Sequence, residues 1–540
     1  MALPLRGIGE NLIGRPRLYS PGSCGSSSIA SSSFKRKPLP FQSPLKREAG
    51  VLLHVTSLPG PFGIGDLGPV AHAWIDQLAA AGQSWWQILP LGPPAAGNSP
   101  YNCYSAFAGN PLLISPEALV ADGLLDRADL KPLPGRTDRI NFDKVAASKA
   151  RSLRLAWTNY REGDGGTLRA AFAAFRSGAS GWLEDYSLFA ALHSANGNKP
   201  WFQWSSGLVC REPRAMETAH ETLADEIAFQ QFQQFLFYRQ LAALRRRASE
   251  KEVGILGDLP IFVALDSADV WGNPSGFQLD RLRRPKAVSG VPPDAFSADG
   301  QRWNNPLYDW AAMEADGYAW WIDRMTTTLG QCDAVRLDHF RGFDAYWRIP
   351  ASAATARTGK WVPGPGMKLF DAFKEAFGVL PLVAEDLGLI TPSVEKLRLD
   401  LGLPSMRVLQ FGLCDAGDST HKPHHIGRDC VAYSGTHDND TTVGWYRSLS
   451  DAEKRRVARY AACEGRLKEP SWTLIRLAWA STAALAIAPL QDLLALPSKA
   501  RMNKPGVAHG NWRWRANDPA GIERGLKRLA DLTAIYARSP

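Results

Sequence analysis

Four acids stand at matching places in this sequence: Asp258 just after GIL, Asp338 after AVRL, Glu385 after LPLVA and Asp438 after VAYSGTH. Each closes a short apolar run. Carboxylates brought together suit glycosyl transfer. One ionised acid attacks the anomeric carbon, a protonated one moves a proton, and a third stabilises the charge that builds on the sugar. Arg336 lies two residues before Asp338, and alternation along a strand puts both on one face. A guanidinium there keeps Asp338 ionised, as a nucleophile requires. Glu385 follows an apolar run, where burial raises a carboxyl toward the range of a general acid. His339 and His437 can donate to sugar hydroxyls. Taken alone, DAVRLDHFRGF (333–343) also reads as a strand with a structural Arg336–Asp338 ion pair. Four acids at four strand ends favour chemistry, because convergence of that kind is hard to obtain by chance.

The elements that must position these acids recur along the chain. Eight apolar runs appear: VLLHVTSL (51–58), SWWQILPLGP (84–93), VGILGDLPIFV (253–263), CDAVRLDHF (332–340), LPLVAEDLG (380–388), MRVLQFGL (406–413), CVAYSGTHD (430–438) and LAIAPLQDLL (485–494). Helical stretches separate them. Strand alternating with helix implies a parallel sheet, and eight repeats suggest an α/β fold of the (β/α)₈ type, whose chemistry sits at the C-terminal ends of the strands. Two connections are far longer than a normal crossover. Inserted, mainly helical subdomains are therefore expected at about 101–250 and 265–330. Within the first, Phe229, Phe232 and Phe235 fall at helical spacing and read as core, with Arg245–Arg247 on a solvated face or at the helix C-terminus. The stretch GIERGLKRLADLTAIYA reads as a closing helix, so no C-terminal β-sandwich domain is expected.

Composition narrows the classes. Of 540 residues, 45% are hydrophobic and 21% charged, which is ordinary for a globular protein, and no apolar run is long enough to span a membrane. The net charge of +9 is concentrated at one end: residues 1–48 hold eight basic residues against two acids. A basic nucleic-acid surface is thus not indicated. The same segment is Ser-rich and acid-poor, as an organellar transit peptide is. Seven scattered cysteines without a C-x-x-C motif read as free thiols. Nineteen Trp hint at carbohydrate, since aromatic planes stack on sugar rings.

VRLDHFRGF, VAEDLG and GTHDNDT resemble the motifs of the amylomaltases, the 4-α-glucanotransferases of glycoside hydrolase family 77, whose plastid members are called disproportionating enzymes. The resemblance extends over about 49–540, through LLHVTSLPGPFGIGDLG, SPYNCYSAFAGNPLLI, GDLPIFVALDSADVW, PPDAFSADGQRW, PLQDLL, RMNKPG and GNWRWR. It implies Asp338 as nucleophile, Glu385 as acid/base and Asp438 as transition-state stabiliser. Tyr101, Asp258, Arg336 and His437 would hold the donor sugar, and Gln301, Trp303, His339 and Asn503 the acceptor side or its loop. It also implies malto-oligosaccharides and α-1,4-glucans as partners, while the transit-like N-terminal segment points to a plastid stroma as the compartment. No metal or organic cofactor is called for, since carboxylates alone can do this chemistry. Asn102 and Asn304 depart from the family pattern, where Gln or Ser and Gly are usual.

Other signals are set aside. GIGDLG (63–68) matches G-x-G-x-x-G, but the next strand ends on no acid for a ribose. HKPHH (421–425) has no acid or Cys cluster at ligand spacing and reads as an exposed loop. Two other functions compete: an α-amylase-type hydrolase with the same acids, and a glucan-binding scaffold on a decayed enzyme fold. The missing β-sandwich argues against the first, and retention of Glu385 against the second.

Overall fold

The computed structural model describes residues 46–133, 137–163, 166–293 and 297–540. Of the expected presequence, residues 1–45 lie outside the described residues. All eight apolar runs carry strands: β1 (Glu48–Leu52), β2 (Trp85–Gln87), β3 (Gly254–Pro260), β4 (Ala334–Asp338), β5 (Leu382–Ala384), β6 (Ser405–Val408), β7 (Cys430–Tyr433) and β8 (Leu485–Pro489). They are parallel and run in the order β6-β7-β8-β1-β2-β3-β4-β5. Helices cover the outside, so these strands are buried on both faces and read as unbroken apolar runs. The ring is the (β/α)₈ barrel.

Two of its seams close differently. Between β8 and β1 the ladder is continuous, from Glu48 opposite Leu485 to Leu52 opposite Pro489. Two arginines from distant parts of the chain guard that edge. Arg47 donates to the carbonyls of Tyr536, Ser481 and Trp479, and the fully buried Arg538 donates to those of Trp479, Ser481 and Glu48. Each guanidinium satisfies backbone carbonyls that the ends of neighbouring elements leave open. Between β5 and β6, by contrast, no ladder forms; one backbone bond, Ala384 N to Pro404 O at 3.0 Å, crosses the seam.

The expected helical insert lies between β2 and β3, with helices Phe142–Glu162, Gly166–Gly178, Ser180–Ala195, Pro213–Thr222 and Ala224–Glu250. Phe229, Phe232 and Phe235 are buried, and Phe232 packs on the rings of Tyr160 and Phe172 at centroid distances of 4.6 and 5.7 Å. Each such phenylalanine contributes about 1.5–3 kcal/mol by leaving water. Arg246 is exposed, but Arg245 is a fastener rather than a solvated charge. It donates to the carbonyls of Leu329, Gly330 and Cys332 and pairs with Asp333 at 3.0 Å, tying the long helix to the start of β4.

The second insert holds a feature not foreseen from the sequence. Strands Gln301–Pro306, Ala287–Val291, Ala345–Pro350 and Lys360–Pro363 form, in that order, a four-stranded antiparallel sheet drawn from the β3–β4 and β4–β5 connections. The first two strands approach so closely that a Cβ at Gly290 would lie 2.1 Å from the Gln301 carbonyl oxygen. Residues 294–296, in the loop joining them, lie outside the described residues. After β8 the described chain forms short turns and the closing helix Pro519–Ile535.

Candidate active site

Register brings the charged residues together. Asp258 on β3 stands opposite Arg336 on β4, and Pro260 opposite Asp338. On the other side of β4, Leu337 pairs with Ala384, so the next residue, Glu385, emerges level with Asp338. The buried Arg336 is the hub. Its Nη1 donates to Asp258 Oδ1 at 2.8 Å and Oδ2 at 2.7 Å and reaches Asp338 Oδ1 at 2.9 Å. Asp258 has no exposed side-chain surface, so the pair stands in low dielectric and depends on its own geometry for compensation.

Tyr101 and His437 extend the network. The Tyr101 hydroxyl donates to Asp258 Oδ2 at 2.7 Å and lies 2.9 Å from His437 Nε2. A phenol has one proton, so His437 carries its own on Nε2 and donates back to Tyr101. The rings stack at 5.2 Å, and Trp512 packs on both, at 5.7 and 6.0 Å. Burial lowers the pKa of His437, so it works as a neutral donor. Asp438 is more open, with 43% of its side chain exposed. Asn503 Nδ2 donates to its Oδ1 at 2.6 Å, while Arg501 binds its backbone carbonyl at 2.6 Å.

The acids differ in how their protons are held. Burial pushes Glu385 up to about 8, helped by the negative charge of Asp338 and opposed by Arg336. Among the described residues no cation touches it. Its oxygens accept from the peptide N–H groups of His339 (2.6 Å) and Leu387 (3.2 Å). Burial also raises Asp338, with Arg336 pulling back through a direct bond. Asp258 is pushed to about 7 by burial against the same guanidinium. Three carboxyls around one arginine cannot all ionise cheaply, so the proton settles on the carboxyl without a cation. That is Glu385. Arg336 therefore favours the ionised form of Asp338, as expected, while burial keeps its pKa above the ordinary value.

The remaining sequence-predicted residues line a second wall. His339 adopts a left-handed conformation (φ 52°) directly after Asp338, and burial depresses its pKa to about 4. Trp303 stands edge-on to it at 4.9 Å and lies 6.4 Å from Phe262; its Nε1 donates to Gln301 Oε1 at 3.2 Å. Asn304 next to it has φ 67°, a conformation that favours glycine and that asparagine tolerates. All eleven predicted residues thus fall into one connected constellation. Sequence reasoning passed over Arg501, Trp512 and Asp386, although each lies within a motif quoted above. The histidines of HKPHH do gather an acid, contrary to expectation: Asp418 joins His424 and His425, all three exposed, with no residue shared with the cleft.

Comparison with known proteins identifies the family. The family model described as 4-alpha-glucanotransferase matches residues 53–520. A 4-alpha-glucanotransferase of Thermus thermophilus is 49% identical over 87% of this chain and 95% of its own length. A chloroplastic/amyloplastic 4-alpha-glucanotransferase of Arabidopsis thaliana is 44% identical over 91% of this chain and 86% of its own. Among solved structures, an amylomaltase from Streptococcus agalactiae in complex with acarbose superposes with a TM-score of 0.87 at 36% identity, over 92% of this chain and all of that one. With barrel and relatives in agreement, the chain belongs to the 4-alpha-glucanotransferases of glycoside hydrolase family 77.

Proposed function

We propose that this enzyme moves α-1,4-glucan segments between malto-oligosaccharides by double displacement. Asp338 attacks the anomeric carbon while Glu385 protonates the glycosidic oxygen. The reducing-end part leaves, and the rest stays bound to Asp338 as a glycosyl ester. Glu385 then takes the proton of the 4-hydroxyl of a second glucan, whose oxygen displaces Asp338 with retention of the α configuration. Asp438 stabilises the oxocarbenium-like charge at both steps. Tyr101, Asp258, Arg336 and His437 hold the donor sugar; Gln301, Trp303, His339 and Asn503 receive the acceptor and keep water from competing. The observation that carries this reading is the unequal pair: Asp338 bonded to Arg336, Glu385 without a cation and with its pKa near 8.

Incubation with maltotriose alone tests it. Glucose and longer glucans should appear together while total reducing ends stay constant. Rising reducing ends without longer products would make the protein a hydrolase. The compartment is part of the same proposal: the Ser- and Arg-rich N-terminal segment and the chloroplastic/amyloplastic plant relatives support a plastid stroma. Failure of residues 1–48 to carry a fluorescent protein into isolated chloroplasts would remove it.

A further inference from the structure

The barrel seam without a ladder lies beside Glu385. β5 is held on its β4 side by strand pairing, by Glu385 N to Leu337 O at 3.1 Å and by Phe340 N to Glu385 O at 3.2 Å. On its β6 side, the backbone offers the single bond from Ala384 to Pro404. The next residue but one, Asp386, supplies what the backbone does not. Its carboxylate, with 6% of the side chain exposed, crosses the seam. Oδ1 accepts from Met406 N at 2.8 Å, and Oδ2 pairs with Arg407 Nη1 at 3.0 Å, both on β6. The same oxygen lies 3.8 Å from Arg398 Nε, on the helix Pro392–Asp400 that joins the two strands. Arg407 and Arg398 are themselves anchored, on the carbonyls of Met406 and Leu403.

We infer that Asp386 is a positioning residue, whose side chain replaces the missing ladder between β5 and β6 and so holds the segment carrying Glu385 in place. The inference rests on the acid/base role of Glu385 proposed above. A buried, doubly bonded carboxylate is rigid, and one residue away sits the oxygen that must deliver a proton along a defined line. Misplacement of about 1 Å can lower turnover on the order of 10²-fold. The negative charge has a second consequence. It disfavours ionisation of Glu385, in the same sense as Asp338 and against Arg336. Glu385 faces Arg336 and Asp338 from β4 and the His339 peptide from the loop beyond it. Asp386 faces Arg407 and Arg398, with Asp429 3.5 Å from Arg398 and His421 close to Arg407. Asp386 is thus the acid beside Glu385 that belongs to no proposed substrate contact.

The test is maltotriose disproportionation across pH, for the wild type, Asp386→Asn and Arg407→Gln, with folding checked by circular dichroism. Both substitutions break the same ion pair, but only the first removes the negative charge. For Asp386→Asn we expect kcat to fall roughly 10- to 100-fold with KM unchanged, and the basic limb of kcat/KM to move to lower pH. Arg407→Gln should lower kcat without that acid-ward move. If both variants lose activity alike with the limb fixed, the contact is merely structural and the inference falls. It falls equally if Asp386→Asn retains wild-type kcat. A wild type that makes no product ladder overturns the functional reading, and this inference with it. A wild-type ladder with an unmoved limb in Asp386→Asn overturns this inference alone.

Discussion

The two walls of the cleft are built by different means. One wall is the barrel mouth, where Asp258, Arg336 and His437 are buried and Tyr101 half-buried, all joined in one bonded network with Asp258 and Arg336 set by strand register. The other is the edge of the antiparallel sheet, where Gln301 and Trp303 are half-buried; Trp303 meets His339 through a ring contact and donates to Gln301. The first wall holds charge in fixed geometry, which a reacting sugar needs at its anomeric carbon. The second offers aromatic surface with few polar ties, which suits a partner that must enter and leave. On the proposed roles, rigidity lies where bonds break and tolerance where an acceptor docks.

That contrast can be broken most severely at the acids. Asp338→Asn should lower kcat on the order of 10⁴-fold or more, and Glu385→Gln about 10²- to 10⁴-fold, with folding intact by circular dichroism. A Glu385→Gln enzyme of near wild-type rate would remove the acid/base assignment. Next in size is Arg336→Gln, which leaves Asp258 buried without its partner. Chemical denaturation should show a loss of about 3–5 kcal/mol, and a variant as stable as wild type would mean that the wall is not held by this pair. Tyr101→Phe deletes one hydroxyl between Asp258 and His437, and kcat/KM should fall about 10- to 100-fold, equivalent to roughly 1–3 kcal/mol. The smallest effect on folding is expected on the other wall. Trp303→Ala should change stability by under about 1 kcal/mol yet lower the transfer-to-hydrolysis ratio; an unchanged ratio would make that wall incidental.

The pH profile sharpens the same contrast. In the proposed mechanism Glu385 is protonated when the reaction starts, so kcat/KM should fall as pH rises through about 8. Its folded-state pKa is raised, so any stability it contributes is present at low pH and lost over the same rise. Glu385→Gln, which stays neutral, should therefore be more stable than wild type above pH 8. Thermal unfolding at pH 6 and pH 9 checks this, and an identical loss of stability in both proteins would contradict the assignment.

The strands of the first wall were legible in the sequence; for the second, the family resemblance named Gln301, Trp303 and His339 but not the sheet that carries the first two. Parallel strands buried on both faces are continuous apolar runs, so AVRLD and LVA announce themselves, and the acids that follow them must lie at the barrel mouth. The strands of the antiparallel sheet carry no such pattern. QRWNNP is polar and ends in proline, and Ala287–Val291 finds its second partner in Ala345–Pro350, beyond an intervening barrel strand. Pairing of that kind is set by tertiary packing rather than local propensity. Tryptophan content pointed to carbohydrate for a reason only partly related to the cleft. Trp86, Trp201, Trp271, Trp321 and Trp479 are fully buried core, while Trp303 and Trp512 border the site. Asp386 became visible only once the seam between β5 and β6 was known, because nothing in VAEDLG tells which strand edge lacks a partner.

The arginine clasp at the β8–β1 edge has a consequence for how the protein is made. Arg538 bonds the carbonyl of Glu48 across 490 residues of chain. At ordinary ribosomal rates, the interval between those two residues is roughly 25–100 s. For most of it, until β8 (Leu485–Pro489) is made, β1 has an open edge of unpaired peptide groups. The nascent chain must therefore be kept from pairing with its neighbours until β8 emerges, and newly made protein should depend on chaperone capacity more than the finished enzyme does.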